Sequence, residues 1–570
     1  MMLVDGATAQ ALDRTAIESW SLSELSLVET AGRACAAEIQ TRLTSSFKGD
    51  PQTARVVLLA GSGNNGADGM VLLRTLLLHG IFQKELCSII LTTSILAPLQ
   101  TTSHTEVQRP GPQILQVLKQ MGLPCMVWAE TEQAHLQETL DRADILIDAI
   151  TGSGLKGPLS GTGLAMAEAA GKVKSQRPNI LIIAVDVPSG MYDGWKQGDP
   201  ILRADWTVAI EPVKTCVYMP ALRPLAGVIL PIQHIFPADL LEQCSRTADF
   251  LQCQHLVEFN SLAVRAASMT STSKSSSSFV LDSPLQDPLR VPPDSYKHRR
   301  GVVVIHAGAP GTSGAPFLAG RGAQAGGAGL VQLVLDEAMA PAYMAVAGGM
   351  LVSTPQWEQQ RPIAADALVV GSGWGWGEER KTRFELLLEK ARGEGLALVL
   401  DADAIVPAAA YDFFRDIPTV LTPHGAEFIR FIRALRERGG RPVPSEQELM
   451  LQMYRNPLPL LLEAREAIGA TILLKTHVMY VVPPAGPCYI IDGMEPVLAM
   501  GGTGDVLSGL LAALMARMRR TTGSVDTCLC CQWAAAILVE GGRQLRKERG
   551  FSDPLVLAEI LGKIAGTLWL

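Results

Sequence analysis

Apolar residues along this chain come in short unbroken runs separated by longer stretches with helical spacing. Before the middle of the chain the runs are Arg55-VVLLA, Asp144-ILIDAI and Asn179-ILIIAVDV; after it they are Gly301-VVVIHAG, Ala367-LVVGSG, Ala397-LVLDADAI and Thr419-VLTPH. Runs too uniformly apolar to alternate in and out are strands covered on both faces. Their alternation with helices predicts parallel sheets in both halves, an α/β fold with its chemistry at the carboxyl ends of the strands. Between the halves the pattern fails. Residues 268–295, SMTSTSKSSSSFVLDSPLQDPLRVPPDS, are serine-rich and then proline-rich, with no period of either kind. Such a composition buries too little to fold, which predicts a linker over 246–295 between domains at 1–245 and 296–570.

Composition narrows the class. The chain has 570 residues, 48% hydrophobic and 18% charged, with a net charge of -7, giving no electrostatic case for nucleic acid. The opening MMLVDGATAQALDR lacks the basic flank and apolar run of a secretory signal. The apolar stretch from Pro496 to Ala516 contains GGTGD, which suits a globular core better than a membrane span. Ten cysteines, the nearest cluster being Cys528, Cys530 and Cys531 with no spaced His partners for zinc, point to reduced thiols. A cytoplasmic enzyme with no membrane or nucleic-acid partner is expected.

The chemistry lies in the turns. After the first run comes GSGNNGADG at 61–69, with the G-x-G-x-x-G spacing of a phosphate-binding turn leading into the helix Met70-VLLRTLLLHG. A dinucleotide site needs an acid at the end of the next strand, but that strand, Leu86-CSIILTT, ends in threonines. The polar groups are inside the turn, at Asn64, Asn65 and Asp68. A second Gly-rich turn, Gly152-SGLKG, and the strand end Asp186-VPSG add Asp148, Asp186 and Ser189 to a set rich in oxygen ligands and acid/base groups.

In the second half, Met500-GGTGDVLSGLLAALMARM puts bare glycine N–H groups ahead of a helix, suited to a transferring phosphoryl group. Asp505 is placed to deprotonate an attacking hydroxyl. No G-x-x-x-x-G-K-[ST] occurs; Gly308-APGTSGA lacks the lysine.

Val28-ETAG, GSGNNGADG, IDAITGSGLKG and AVDVPSG resemble, in order and spacing, the epimerase domain of the bifunctional NAD(P)H-hydrate repair enzymes, a Rossmann-like three-layer fold. The resemblance implies that Asn64, Asn65, Gly66, Ala67 and Asp68, with Gly152, Ser153, Gly154, Leu155, Lys156, Gly157 and Pro158, hold the hydrate. It also implies that Asp186 is the acid/base group and that Asn65, Asp148 and Ser189 ligate potassium. Ala67 stands where that family has glycine.

The GGTGD segment resembles the ribokinase-like superfamily. Leu400-DADAI, Leu421-TPHGAEF and Leu474-KTHVMYVV narrow the likeness to the NAD(P)H-hydrate dehydratases. There a nucleotide phosphorylates the hydrate hydroxyl and phosphate then leaves. The implied roles are hydrate binding for Gly373 and His424, nucleotide binding for Lys475, Thr476, His477, Val478, Met479 and Gly504, and the base for Asp505. The expected partners are NADHX or NADPHX and ADP or ATP, with ADP favoured, magnesium accompanying the nucleotide, and a homo-oligomeric assembly. A ribokinase-like kinase of a vitamin precursor, with a non-catalytic binding module ahead of it, is the alternative; it leaves the N-terminal motifs unexplained.

Overall fold

The computed structural model describes residues 1–93, 109–245, 254–259, 262 and 288–570. They form two compact units, Met1–Gln254 and His255–Leu570.

In the first unit seven strands lie in the order Cys125–Val127, Cys87–Leu91, Val56–Ala60, Ile145–Ala149, Leu181–Val185, Trp206–Ile210 and Val228–Ile232. Every neighbouring pair is parallel. All five residues of Val56–Ala60, Ile145–Ala149 and Leu181–Val185 are buried, as continuous apolar runs require when helices cover both faces. The chain winds outward one way from Val56–Ala60 and the other way from Ile145–Ala149, so a crevice opens between their carboxyl ends, where ligands of such sheets bind. A separate parallel pair joins Met2–Val4 to Val213–Lys214.

The second unit orders its strands Leu351–Ser353, Leu330–Val334, Val302–His306, Ala367–Val370, Ala397–Leu400, Thr419–Leu421, Thr471–Leu474, Val478–Val482 and Cys488–Asp492. The first seven are parallel, and the last two add an antiparallel hairpin. The helix Thr503–Thr522 packs on the helix Gly314–Ala325 at backbone contact. A Cβ on Gly509 would lie 1.8 Å from the Ala319 carbonyl oxygen, and one on Gly322 would lie 2.0 Å from that of Val506. These glycines fix the height of the Thr503–Thr522 amino terminus over the sheet.

Parts of the stretch expected as linker pack on the second unit. The Val257 N–H donates to the Ile490 carbonyl at 2.8 Å, the Val291 N–H donates to Trp569 O at 3.0 Å, and Leu289 is fully buried. The serine tract from Ser271 to Ser278 lies outside the described residues. No described helix is long and apolar enough to cross a membrane, and the described cysteines are free thiols.

Candidate functional sites

The helix expected from Met70 begins inside the motif, at Asn64, and runs to Leu78 with Gly63 as an N-cap that offers no side chain. Gly66 lies against the strand end, where a Cβ would be 2.1 Å from the Gly61 carbonyl oxygen. The first turn therefore faces the crevice uncapped, beside a cavity of about 690 Å³. Gly61, Asn64, Asn65, Asp68, Gly152, Ser153, Gly154, Leu155 and Asp186 line it. Gly66, Lys156, Gly157 and Pro158 do not line it, although the resemblance placed them there. Nor does Ala67: it is 1% exposed and packs in the core, so its methyl leaves the backbone approach to the turn unchanged.

Asp148 is fully buried at the end of its strand. Ser189 donates to it twice, from the hydroxyl at 2.5 Å and the backbone N–H at 2.8 Å. Burial pushes its carboxyl up to about 6 while the Ser189 and Ile150 donors pull it back, and no cationic side chain pairs with it among the described residues. Against Gly152, both side-chain amide atoms of Asn65 are buried without a hydrogen-bond partner.

Asp186 follows the strand Leu181–Val185 in the left-handed region, at φ 66°, a conformation costly for a residue with a Cβ. One of its oxygens takes the Lys214 ammonium at 2.6 Å, with both side chains under one-tenth exposed, and the other accepts the Ser153 N–H at 3.1 Å. Asp13 and Lys214 also line the cavity. Burial drives the Asp68 carboxyl well above the usual range, with Asp186 adding to the rise and Lys214 opposing it. It drives Asp13 up to about 6. Sequence reasoning missed Asp13 and Lys214; neither sits in a motif, and the pairing of Val213–Lys214 with Met2–Val4 joins segments far apart along the chain.

The second unit has its own cluster. Lys475 donates to Asp401 at 2.7 Å, and the same carboxylate accepts from Thr422 at 2.7 Å and Ser372 at 3.0 Å. A parallel bridge aligns His424 with Lys475, and the Lys475 N–H donates to Pro423 O at 2.8 Å. His424 is exposed; its Nε2 lies 3.1 Å from Glu427, which also accepts the His424 backbone N–H at 2.8 Å. Gly504 lies beside the lysine, since a Cβ there would be 3.1 Å from Lys475 Nζ. The Thr503–Thr522 helix has Gly502 as N-cap, at φ 92° and with no side-chain bond. Neither Thr503 nor Asp505 caps it, and its positive end stays open for an anion.

Burial raises the Asp505 carboxyl to about 7, with Asp401 adding to the rise and Lys475 and Ser372 holding it back. Burial works against the Lys475 charge, but Asp401, Glu427 and Asp505 outweigh it and raise its pKa. A carboxyl balanced near neutrality beside a cation and an open helix end can take a proton from a hydroxyl attacking phosphorus. Gly373, at φ 56°, has its carbonyl on the Thr312 hydroxyl at 2.5 Å, within the loop that carries Ser372. Val478 and Met479 belong to a buried strand, 0% and 4% exposed, while Thr476 and His477 occupy the half-exposed turn before it. Asp401, Ser372 and Thr422 are further site residues. Asp401 was legible as the first aspartate of Leu400-DADAI, but its pairing with a lysine far along the chain was not.

These features define a two-unit α/β enzyme with acid/base groups at the strand ends of each unit. Residues 24–216 match the family described as YjeF-related protein N-terminus, and residues 302–562 match the family described as NAD(P)H-hydrate dehydratase. The bifunctional NAD(P)H-hydrate repair enzyme Nnr of Thermofilum pendens is 28% identical over 523 residues, 88% of this chain and 85% of that one. That of Salinibacter ruber is 27% identical over 588 residues, 97% of this chain and 94% of that one. Among solved structures, the Bacillus subtilis ADP/ATP-dependent NAD(P)H-hydrate dehydratase, co-crystallised with ATP and Mg2+, is 22% identical. It covers 50% of this chain and 96% of its own, with a TM-score of 0.40. The yeast protein YNL200c is 20% identical, covering 44% of this chain and 98% of its own, with a TM-score of 0.35. Both halves together place the chain in the family of bifunctional NAD(P)H-hydrate repair enzymes.

Proposed function

We propose that the chain salvages hydrated nicotinamide cofactors. Its first unit interconverts R- and S-NAD(P)HX, and its second dehydrates the S epimer to NAD(P)H with ADP or ATP. The observation that carries this reading is the occurrence, in one chain matching both families, of two separate acid/base sites at strand ends.

In the second unit the hydroxyl of the hydrate gives its proton to Asp505 as its oxygen attacks the terminal phosphorus of the nucleotide. The uncapped amino end of the Thr503–Thr522 helix faces the charge that builds on phosphorus, and Lys475, held by Asp401, adds a fixed positive charge. The step turns hydroxide, a poor leaving group, into phosphate, a good one. Loss of that phosphate with a ring proton restores the double bond. Glu427 orients His424 at the exposed rim, where the hydrate would enter.

No cluster of three or more His, Cys, Asp or Glu arranged for a metal occurs among the described residues. Magnesium therefore fits here as a cation carried on the nucleotide phosphates, neutralising their charge, rather than one held in a protein cage. In the first unit, potassium fits the residues present. The unpartnered amide oxygen of Asn65 and the carboxylate of Asp148, which lacks a cationic partner, are the hard oxygen donors such an ion takes, and Ser189 is bonded to that carboxylate. When bound, the ion would supply a fixed charge that orients the substrate. Asp186 as base and Asp68 as acid are the two groups epimerisation needs. A cytoplasmic homo-oligomer acting on both cofactors completes the proposal.

The test mixes full-length protein with both epimers of NADH hydrate, magnesium, potassium and either nucleotide, and follows the near-ultraviolet absorbance of reduced nicotinamide. Full recovery from the mixture is expected, and comparison of ADP with ATP identifies the donor. Recovery of only one epimer's share refutes the epimerase half, and no recovery with either nucleotide refutes both.

A further inference from the structure

Five carboxyl groups, Asp13, Glu24, Asp68, Asp186 and Glu211, line the cavity of the first unit together with the ammonium of Lys214, and three of them, Asp13, Asp68 and Asp186, feel its charge. Lys214 comes from the short strand Val213–Lys214 and is 5% exposed. Its Nζ contacts Asp186 at 2.6 Å and the Ile210 carbonyl at 3.1 Å. Of the three carboxylates, Asp186 alone is ion-paired in the described structure, and its second oxygen is occupied by the Ser153 N–H. Buried carboxyls without such a partner hold their protons more tightly: burial, the largest cause for each, pushes Asp13 up to about 6 and drives Asp68 well above the usual carboxylate range. The other charged or titratable groups acting on this cluster are Glu24 and Arg14 near Asp13, the buried thiols of Cys35 and Cys216, and Asp193 next to Cys216. None of these supplies a cation to Asp186.

We propose that Lys214 is a positioning residue of the epimerisation, its ion pair fixing Asp186 as the base and leaving Asp68 as the proton donor in the same cavity. The inference rests on the epimerase reading above. Asp186 takes the proton of the hydroxyl on the hydrated ring carbon. The carbon–oxygen double bond forms as the carbon–nitrogen bond breaks, and the electron pair passes to the ring nitrogen, which takes the proton of Asp68. Rotation and the reverse closure on the opposite face give the other epimer and return both protons, so no further reactant is consumed.

The experiment measures interconversion of a purified epimer by chromatography, using the full chain without nucleotide so that dehydration stays silent, across a pH series. Lys214→Met removes the cation beside Asp186 and should move the acidic limb of kcat/KM upward by about 1–3 pH units, the usual effect of one close opposite charge. Lys214→Arg keeps the charge and should leave the limb in place even if kcat falls. A Lys214→Met variant that melts lower but keeps the original limb overturns the proposal, because a merely structural lysine behaves that way. Where Lys214→Met does not fold, the arginine variant decides: a limb shifted in Lys214→Arg also overturns it. Absence of epimerisation by the unchanged chain overturns the proposed function itself, and this inference with it.

Discussion

Replacing Asp505 by asparagine removes the group proposed to take the hydroxyl proton while keeping its size. A positioned general base contributes about 10²–10⁴-fold, so Asp505→Asn should lower the dehydration rate by at least about 10²-fold and leave epimerisation intact. The structure adds a pH signature. Burial and the Asp401 carboxylate hold the group at about 7. In the unchanged protein its ionised fraction climbs from roughly one-tenth to nine-tenths between about pH 6 and pH 8, and dehydration should rise about tenfold over that interval. The same shift bears on stability. The folded pKa lies above the ordinary 3.8, so the folded state binds this proton more tightly than the unfolded one. The resulting destabilisation is absent below about pH 4, grows as pH rises, and is complete above about pH 7. Three units at 1.36 kcal/mol each set an upper bound of about 4 kcal/mol, which screening at this half-buried carboxyl reduces to about 1–2 kcal/mol. Asp505→Asn should therefore be more stable than the unchanged protein at pH 8 and not at pH 4, measured by urea unfolding of the second unit. Retention of more than about one-tenth of the rate, or an unchanged urea midpoint at pH 8, refutes the assignment.

Lys475→Met leaves Asp401 buried without its cation and should cost about 3–5 kcal/mol in the same urea assay; because Lys475 also holds the Asp505 carboxyl down, the dehydration limb of any folded variant should move to higher pH. Asn65→Ala removes an unpartnered buried amide, so potassium dependence of epimerisation should disappear in a salt titration without loss of stability, whereas a large fall in melting temperature would show that the amide serves packing. Ala67→Gly should lower stability by about 1 kcal/mol, as glycine does inside a helix, and bring no gain in epimerisation rate; a faster variant would mean that the methyl does crowd the turn.

The strands and their parallel pairing were legible because uniformly apolar five-residue runs ending in Gly or Asp have few other ways to be buried. The Gly-rich turns were legible for a related reason: Gly61 and Gly66 lie where any Cβ would collide with backbone. The start of the helix at Asn64 was less visible, since polar residues in its first turn look like loop until the helix is seen to present them to a cavity. Val478 and Met479, within the same motif as Lys475, lie on a buried strand, which the run of letters alone does not distinguish from the half-exposed turn before it.

By itself, then, the sequence determined the two α/β units and the Gly-rich turns at their strand ends, and it singled out Asp186 and Asp505 as candidate acids, because each of these is encoded within one contiguous segment. Which charges meet was decided only by the tertiary structure. Lys214 reaches Asp186 and Lys475 reaches Asp401 across separations of 28 and 74 residues. Proton affinities in both sites follow from those meetings and from burial, quantities that belong to the packed chain and have no local signature along it.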